Sequence, residues 1–134
     1  MTQLPILQAL VLADHVYTDR ESGKNIVAGT FNTLHGSSFP TTYQRGAFMF
    51  GSITEIREPI ELTLKYIQNK DLKVLFESNP IRIETQDPFA TIELVIELPP
   101  IPMPHIGTFS FELHVNDHRL GAVRVITQER KVTQ

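Results

Sequence analysis

The sequence predicts an all-β domain folded as a single antiparallel β-sandwich. Apolar and polar residues alternate with a period of two in several short segments, most clearly from Ala90 to Leu98, and this alternation is typical of strands with one buried face. No stretch keeps the 3.6-residue apolar period of a helix over ten residues. About nine such segments at roughly ten-residue spacing favour an immunoglobulin-like or C2-like sandwich with Greek-key connections, with a Greek-key barrel as the alternative.

The first predicted hairpin is the clearest one. A strand from Ile6 to Tyr17 is apolar on both strand parities at its centre, which indicates a central strand covered on both faces. A polar loop then reverses the chain at Gly23. The returning strand is predicted from Asn25 to Leu34, and its Gly29 marks a bulge or a close approach of another backbone.

Further strands are predicted at residues 46–56, 60–66, 72–77, 81–84, 90–98, 108–115 and 119–128. Residues 35–45 are predicted to be a polar crossover between sheets. We interpret Pro99–Pro104 as a stiff extended connection without strand hydrogen bonds rather than as a ligand for a proline-binding domain. A turn at Asn116 and Asp117 would place Leu113 opposite Leu120, Phe111 opposite Ala122 and His114 beside Arg119.

Length and composition restrict the function classes. We expect one domain over residues 1–134, with a frayed tail over residues 128–134. The chain has no cysteine, and its formal net charge of -3 gives no basic footprint for nucleic acid. No apolar run is long enough to span a membrane, and Leu4–Ala13 lacks the basic flank and cleavage site of a signal peptide. We therefore expect a cytoplasmic protein that binds neither nucleic acid nor membrane.

Asp14 and His15 are the first candidate site residues. Adjacent strand residues point to opposite faces, so they cannot easily share one proton as a catalytic dyad. A carboxylate at the end of a strand more often accepts backbone N–H groups of the following turn or pairs with a cation such as Lys24. On that interpretation, Asp14→Ala would lower stability by roughly 1–3 kcal/mol.

The remaining candidates are histidines and one aspartate. His114, Asp117 and His118 lie at the predicted tip of the last hairpin, but a zinc site there would need a further ligand, so we expect exposed polar side chains and no bound metal. His35 lies in the crossover segment near the predicted end of the sandwich. No serine lies in a Gly-x-Ser-x-Gly elbow, and no glycine-rich phosphate loop is present. We expect no cofactor and no catalytic residue.

Two segments resemble a known family. The first comprises Leu10–Asp14, Gly23–Phe31 and Phe39-Pro40, and the second comprises Pro104–Phe111 and Val115–Asp117. In these the chain resembles an uncharacterised family of small bacterial and phage-borne all-β proteins, a domain of unknown function. The resemblance implies a β-sandwich and supplies no catalytic residues. His118 stands where the family has a turn glycine.

The function that we expect is binding without catalysis. A sandwich has open strand edges, which favours a protein-binding or assembly module that recognises a partner protein or forms homo-oligomers through a strand edge or a sheet face. One alternative is a small-molecule or carbohydrate-binding domain, or a hydrolase, that uses the sandwich end near Asp14, His15 and His35. Another alternative is a structural component of a phage.

Overall fold

The computed structural model describes residues 3–130, and these form twelve strands and no helix. In chain order the strands are β1 (Ile6–Thr18), β2 (Asn25–Thr30), β3 (Thr33–Gly36), β4 (Thr41–Tyr43), β5 (Phe48–Thr54), β6 (Ile60–Gln68), β7 (Lys73–Glu77), β8 (Ile81–Ile83), β9 (Ile92–Glu97), β10 (Ile101–Met103), β11 (Gly107–Val115) and β12 (His118–Glu129). Nothing in this part of the chain could cross a membrane as a helix. The predicted all-β sandwich is confirmed.

Two main sheets and one small one make up the fold. The first sheet has the order β2-β1-β5-β9, and the second has the order β3-β12-β11-β6-β7, with β8 also paired to β6. Strands β10 and β4 form a separate antiparallel pair. Strand β3 runs parallel to β12, whereas the other described pairings are antiparallel.

The core lies between the two main sheets. Its fully buried large side chains include Leu12, Met49 and Ile53 from the first sheet and Leu62, Leu64, Tyr66, Phe109 and Phe111 from the second. Along β11 and most of β6 they alternate with exposed or half-buried residues, as the period-two pattern predicts. Residues 49–53 of β5 are all buried. At Gly121 the sheets approach closely, since a Cβ atom there would overlap the Leu7 side chain.

Strand β1 is a central strand, as predicted, and both of its faces are covered at Leu12 and Ala13. It lies between β2 and β5. Leu12, in the core, is 1% exposed, and Ala13, which points the opposite way, is 0% exposed. The amide of Asn25 at the start of β2 donates to the carboxylate of Glu93 on β9 over 3.1 Å. Because β2 and β9 are the two edge strands of this sheet, the sheet must curl strongly to bring them into contact.

The predicted strand from Asn25 to Leu34 is wrong, because the chain changes sheets within it. The Phe31 amide still donates to Leu12 of β1, whereas the next residue, Asn32, already accepts from Ile126 of β12. Its second half is therefore β3, in the other sheet. Gly29 has φ +73, yet the pairing of β1 with β2 keeps its register on both sides of it.

Two connections contain strands that the sequence did not indicate. The proline-rich segment includes β10, where Ile101 and Met103 are each 1% exposed, and the supposed crossover includes its partner β4. Proline removes a donor but keeps its carbonyl. The Tyr66 hydroxyl uses this property, since it donates to the carbonyl of Pro102 over 2.9 Å.

The last hairpin has the predicted turn but a shifted register. Asn116 and Asp117 have φ values of 47 and 70, which are the positive values that a tight type I′ turn requires. His114 pairs with Arg119 as predicted. Beyond it a β-bulge shifts the register, so Leu113 pairs with Gly121 instead of Leu120, and Phe111 with Val123 instead of Ala122.

The predicted fraying does not begin at residue 128. Gln128 and Glu129 pair with β3, and the Arg130 amide donates to the Gly36 carbonyl over 2.8 Å. Residues 131–134 of the predicted tail lie outside the described residues. The pairing of β12 with β3 thus fixes Arg130 beside the loop that follows β3.

Candidate functional site

Asp14 lies at one end of the sandwich, against Gly29 of the neighbouring strand. A Cβ atom on Gly29 would be 2.6 Å from Asp14 Oδ2 and 3.1 Å from its Cβ and Cγ. Only glycine leaves this space, and its φ of +73 is one that side chains disfavour. The missing side chain at residue 29 thereby allows the exposed Asp14 carboxylate to pack across β2.

The loop after β3 forms a second wall. His35 is exposed and pairs through its backbone with Gln128. The next residue, Gly36, is tightly packed, since a Cβ atom there would lie 3.1 Å from Thr41 and 3.4 Å from Met103. This packing holds the loop against the β4–β10 pair and fixes the position of His35.

Strand β4 and the residues after it supply Tyr43 and Arg45. Tyr43 pairs with Ile101 through the backbone, and its ring lies 5.9 Å from that of Phe31, centroid to centroid. Arg45 is exposed two residues further on. The short strand therefore places one half-buried hydroxyl and one cation at the same end of the sandwich as Asp14.

These walls enclose an open cleft of about 420 Å³, which we call the main cleft. Its ionisable and strongly polar lining residues are Asp14, His35, Tyr43, Gln44, Arg45 and Arg130, and Phe31 and Met103 contribute apolar surface. Four of the ionisable groups, one from each of four separate chain segments, are exposed at its rim. The cleft thus has a polar rim around a partly apolar floor.

The pKa of the Tyr43 hydroxyl is shifted by burial first and by two neighbouring charges second. Partial burial raises the pKa of the Tyr43 hydroxyl, the negative charge of Asp14 raises it further, and the positive charge of Arg45 opposes the shift. The hydroxyl therefore remains protonated near neutral pH and is available as a hydrogen-bond donor. The same causes indicate that Asp14 and Arg45 are both close enough to Tyr43 for their charges to be felt there.

His15 borders a smaller hollow of about 240 Å³, shared with Asp14, Tyr43 and Arg45. Its ring stacks on Tyr17 at 5.5 Å and lies 5.9 Å from the ring of Phe48. Among residues 3–130, no hydrogen bond joins Asp14 to His15. The two residues line a common surface but are not paired.

The other predicted site residues lie around the turn between β11 and β12, at the opposite end of β12 from Arg130. His114 was expected to be exposed, but its side chain is only 13% exposed, and its Nε2 lies 2.9 Å from Glu112 Oε1. His118 Nδ1 contacts the Asn116 carbonyl over 3.1 Å, and Asp117 occupies the turn. Within residues 3–130, no group of three or more histidines and acids could hold a metal ion.

Within the described residues, the side chains that line the main cleft are not joined to one another by hydrogen bonds. No hydrogen bond in this part of the chain joins a serine or threonine hydroxyl to a histidine. Asp14 and His35 line the same cleft without a hydrogen bond between them. What the cleft offers is a set of donors, two aromatic rings and one carboxylate.

The turn after β1 is held by Asp19 and not, as expected, by Asp14. The Ser22 amide and hydroxyl donate to Asp19 Oδ2 over 3.0 and 2.6 Å, and no backbone donor of this turn reaches Asp14. The Ser22 hydroxyl and amide lower the pKa of the Asp19 carboxyl. The prediction that Asp14→Ala would remove hydrogen bonds of this turn is therefore wrong.

We expect Asp19→Ala to reduce stability, because the turn amide of Ser22 loses its acceptor. A carboxylate with a lowered pKa stabilises the fold above its ordinary pKa, and this contribution is lost as the pH falls below that value. Urea unfolding at pH 7 and pH 3, followed by circular dichroism, measures the effect. Asp14→Ala is the matched control, and a larger loss of stability in that variant would contradict the assignment to Asp19.

Three residues of the main cleft were missed from the sequence: Tyr43, Arg45 and Arg130. Tyr43 and Arg45 were assigned to a polar crossover, and Arg130 was assigned to the frayed tail. The sequence signal for Tyr43 is weak, because β4 has only three residues. Arg130 reaches the cleft only because β12 pairs in parallel with β3. The paired residues, for example Thr33 and Ile126, lie about ninety positions apart in the sequence.

Comparison with known proteins identifies the family of this chain but no activity. Residues 8–126 match the model of a family described as a family of unknown function, DUF6941. No curated protein matches the chain.

Two solved structures are similar to the chain. The crystal structure of an immunoglobulin-like protein from Pseudomonas aeruginosa aligns over 94% of this chain and 98% of that one, at 12% identity and a TM-score of 0.47. An alkylpurine DNA glycosylase from Pseudomonas fluorescens, bound to DNA containing an abasic site analogue, aligns over 89% of this chain and 30% of its own, at 11% identity and a TM-score of 0.42. Neither similarity supports an argument about activity.

Proposed function

Because this chain belongs to the family of unknown function DUF6941, its activity has to be inferred from its own residues, and we propose that it is a non-enzymatic module that binds a partner protein at the main cleft. The observation that supports this proposal is the convergence of Asp14, His35, Tyr43, Arg45 and Arg130 on one open cleft. Exposed polar side chains around aromatic rings are characteristic of protein-recognition surfaces.

The strand edges are less suitable for binding a partner. The edge strands β2, β3, β7 and β9 have only four to six residues each. Strand β9 also presents Glu93 and Glu97, and charges on a short edge oppose the addition of a further strand. The cleft is therefore favoured over strand addition as the binding site.

Affinity purification from the native cell with matched baits tests the proposal. We expect wild-type protein to retain a partner that the Arg45→Ala bait loses, because a cleft partner needs that guanidinium. Arg124→Ala is the control, since Arg124 is also exposed but lies on β12 outside the cleft. Equal recovery of each captured protein by both variants would contradict the proposal.

A small molecule is the second candidate ligand. The volume of the main cleft, about 420 Å³, lies within the range of small-ligand sites, and the Tyr43 and Phe31 rings could stack on a sugar or another flat ligand. This candidate requires no partner protein. It would be favoured if native mass spectra showed a bound ligand that the Arg45→Ala variant loses, while the affinity purification gave no protein that this variant loses.

A further inference from the structure

The main cleft concentrates positive charge on an acidic protein. The chain has a formal net charge of -3, yet Arg45 and Arg130 line the cleft with His35, against the single carboxylate of Asp14. The two arginines come from different chain segments, one after β4 and one after β12, so their proximity is produced by the fold and not by a local run of charge.

The two arginines also keep their donors available. Arg57, Arg82 and Arg119 each lie within 4.0 Å of an acidic side chain. Within residues 3–130, neither Arg45 nor Arg130 forms such an ion pair. A guanidinium has five N–H donors in a planar fork that matches the oxygens of carboxylate and phosphate groups.

Neutral donors complete the lining. The Tyr43 hydroxyl, and the side chains of Ser37, Thr42 and Gln44, border the main cleft. Hydroxyl and amide donors beside arginine strengthen the binding of an anion, because charge-assisted hydrogen bonds are roughly twice as strong as neutral ones. The Asp14 carboxylate, which also lines the cleft, would repel a ligand that is negative throughout, so it favours a ligand with one localised anionic group.

We infer that the main cleft binds an oxyanion, a carboxylate or phosphate group, between Arg45 and Arg130. This inference rests on the proposed function and specifies the chemistry by which the partner is recognised. A carboxylate would come from an acidic side chain or a chain terminus of the partner, and a phosphate would come from a phosphorylated residue.

Titration of ¹⁵N-labelled protein with sodium phosphate or sodium acetate, at constant ionic strength against sodium chloride, tests the inference. We expect saturable shifts of the amide resonances of residues 35–39, 41–45 and 130 with at least one of the two oxyanions. The double variant Arg45→Ala/Arg130→Ala should bind about tenfold more weakly or not at all, and Arg124→Ala should bind like the wild type. The phosphate and acetate arms identify which group is preferred.

Equal shifts with chloride, or undiminished binding by the double variant, would overturn the inference. The same spectra show whether each variant is folded. If oxyanion binding fails while Arg45-dependent capture of a partner persists, the oxyanion inference falls and the protein-binding function stands. If oxyanions bind but no captured protein depends on Arg45, the oxyanion inference stands and the protein-binding function falls.

Discussion

Truncation of Tyr66 to alanine is expected to lower the free energy of unfolding by about 3–5 kcal/mol. The side chain is 0% exposed, and its ring lies within 5.5 Å of the rings of Phe76, Phe109 and Phe111, centroid to centroid. Alanine would leave a cavity in the middle of this aromatic cluster and remove the hydrogen bond to Pro102. Since the chain has no tryptophan, urea unfolding followed by circular dichroism is the appropriate measurement.

Tyr66→Phe separates the hydroxyl from the ring. Phenylalanine keeps the packing but leaves the Pro102 carbonyl without its donor, which should cost about 1–3 kcal/mol. A Tyr66→Phe variant as unstable as Tyr66→Ala would show that the aromatic packing contributes little.

The pH dependence of stability, compared between the wild type and Tyr66→Phe, provides a second control. Burial raises the pKa of Tyr66, so above the ordinary pKa of tyrosine the unfolded chain loses this proton before the folded chain does. The stabilisation is complete below that pKa and decreases as the pH rises beyond it. In Tyr66→Phe this part of the alkaline loss of stability should be absent.

Replacement of Gly29 by alanine is expected to destabilise the protein by about 2–4 kcal/mol. Two costs combine. A non-glycine residue at φ +73 is strained by about 1 kcal/mol or more. The new Cβ atom would also meet three atoms of the Asp14 side chain at 2.6–3.1 Å, and overpacking of this kind costs about 1–3 kcal/mol. Urea unfolding of the purified variant measures the sum.

Gly23→Ala isolates the backbone cost, because Gly23 has the same φ of +73 but no atom within 4 Å of its Cβ position. We expect a loss of about 1 kcal/mol for this control. Combining Gly29→Ala with Asp14→Ala should then recover part of the steric cost, as residues in contact are not additive. Equal effects of the two glycine substitutions would show that the Asp14 contact is unimportant.

The alternation of apolar and polar residues was sufficient to predict the fold class and most of the strands. It failed where the chain changes sheets. Residues 25–34 keep a strand-like composition throughout, so the transfer at Phe31 and Asn32 produces no change in pattern. It failed again at β10, where the four prolines of Pro99–Pro104 suggested an absence of pairing, although Ile101 and Met103 are inward-facing and buried.

The candidate site was predicted only in part. Asp14 and His35 were expected at one end of the sandwich, and both line the main cleft. Arg45 and Arg130 were not expected, because their proximity depends on long-range pairing that no local pattern encodes. His114 and His118 were expected at the tip of the last hairpin and lie there, at the other end of β12 from Arg130.

The parallel pairing of β3 with β12 has a consequence for how the protein is made. Leu34 in β3 is 1% exposed in the finished fold, but its neighbouring strand comprises the last described residues of the chain, from Ile126 to Glu129. During translation this apolar side chain therefore remains without its strand partner until β12 has left the ribosome. The nascent chain is most vulnerable to misassembly or chaperone capture in that interval, since long-range pairings form late.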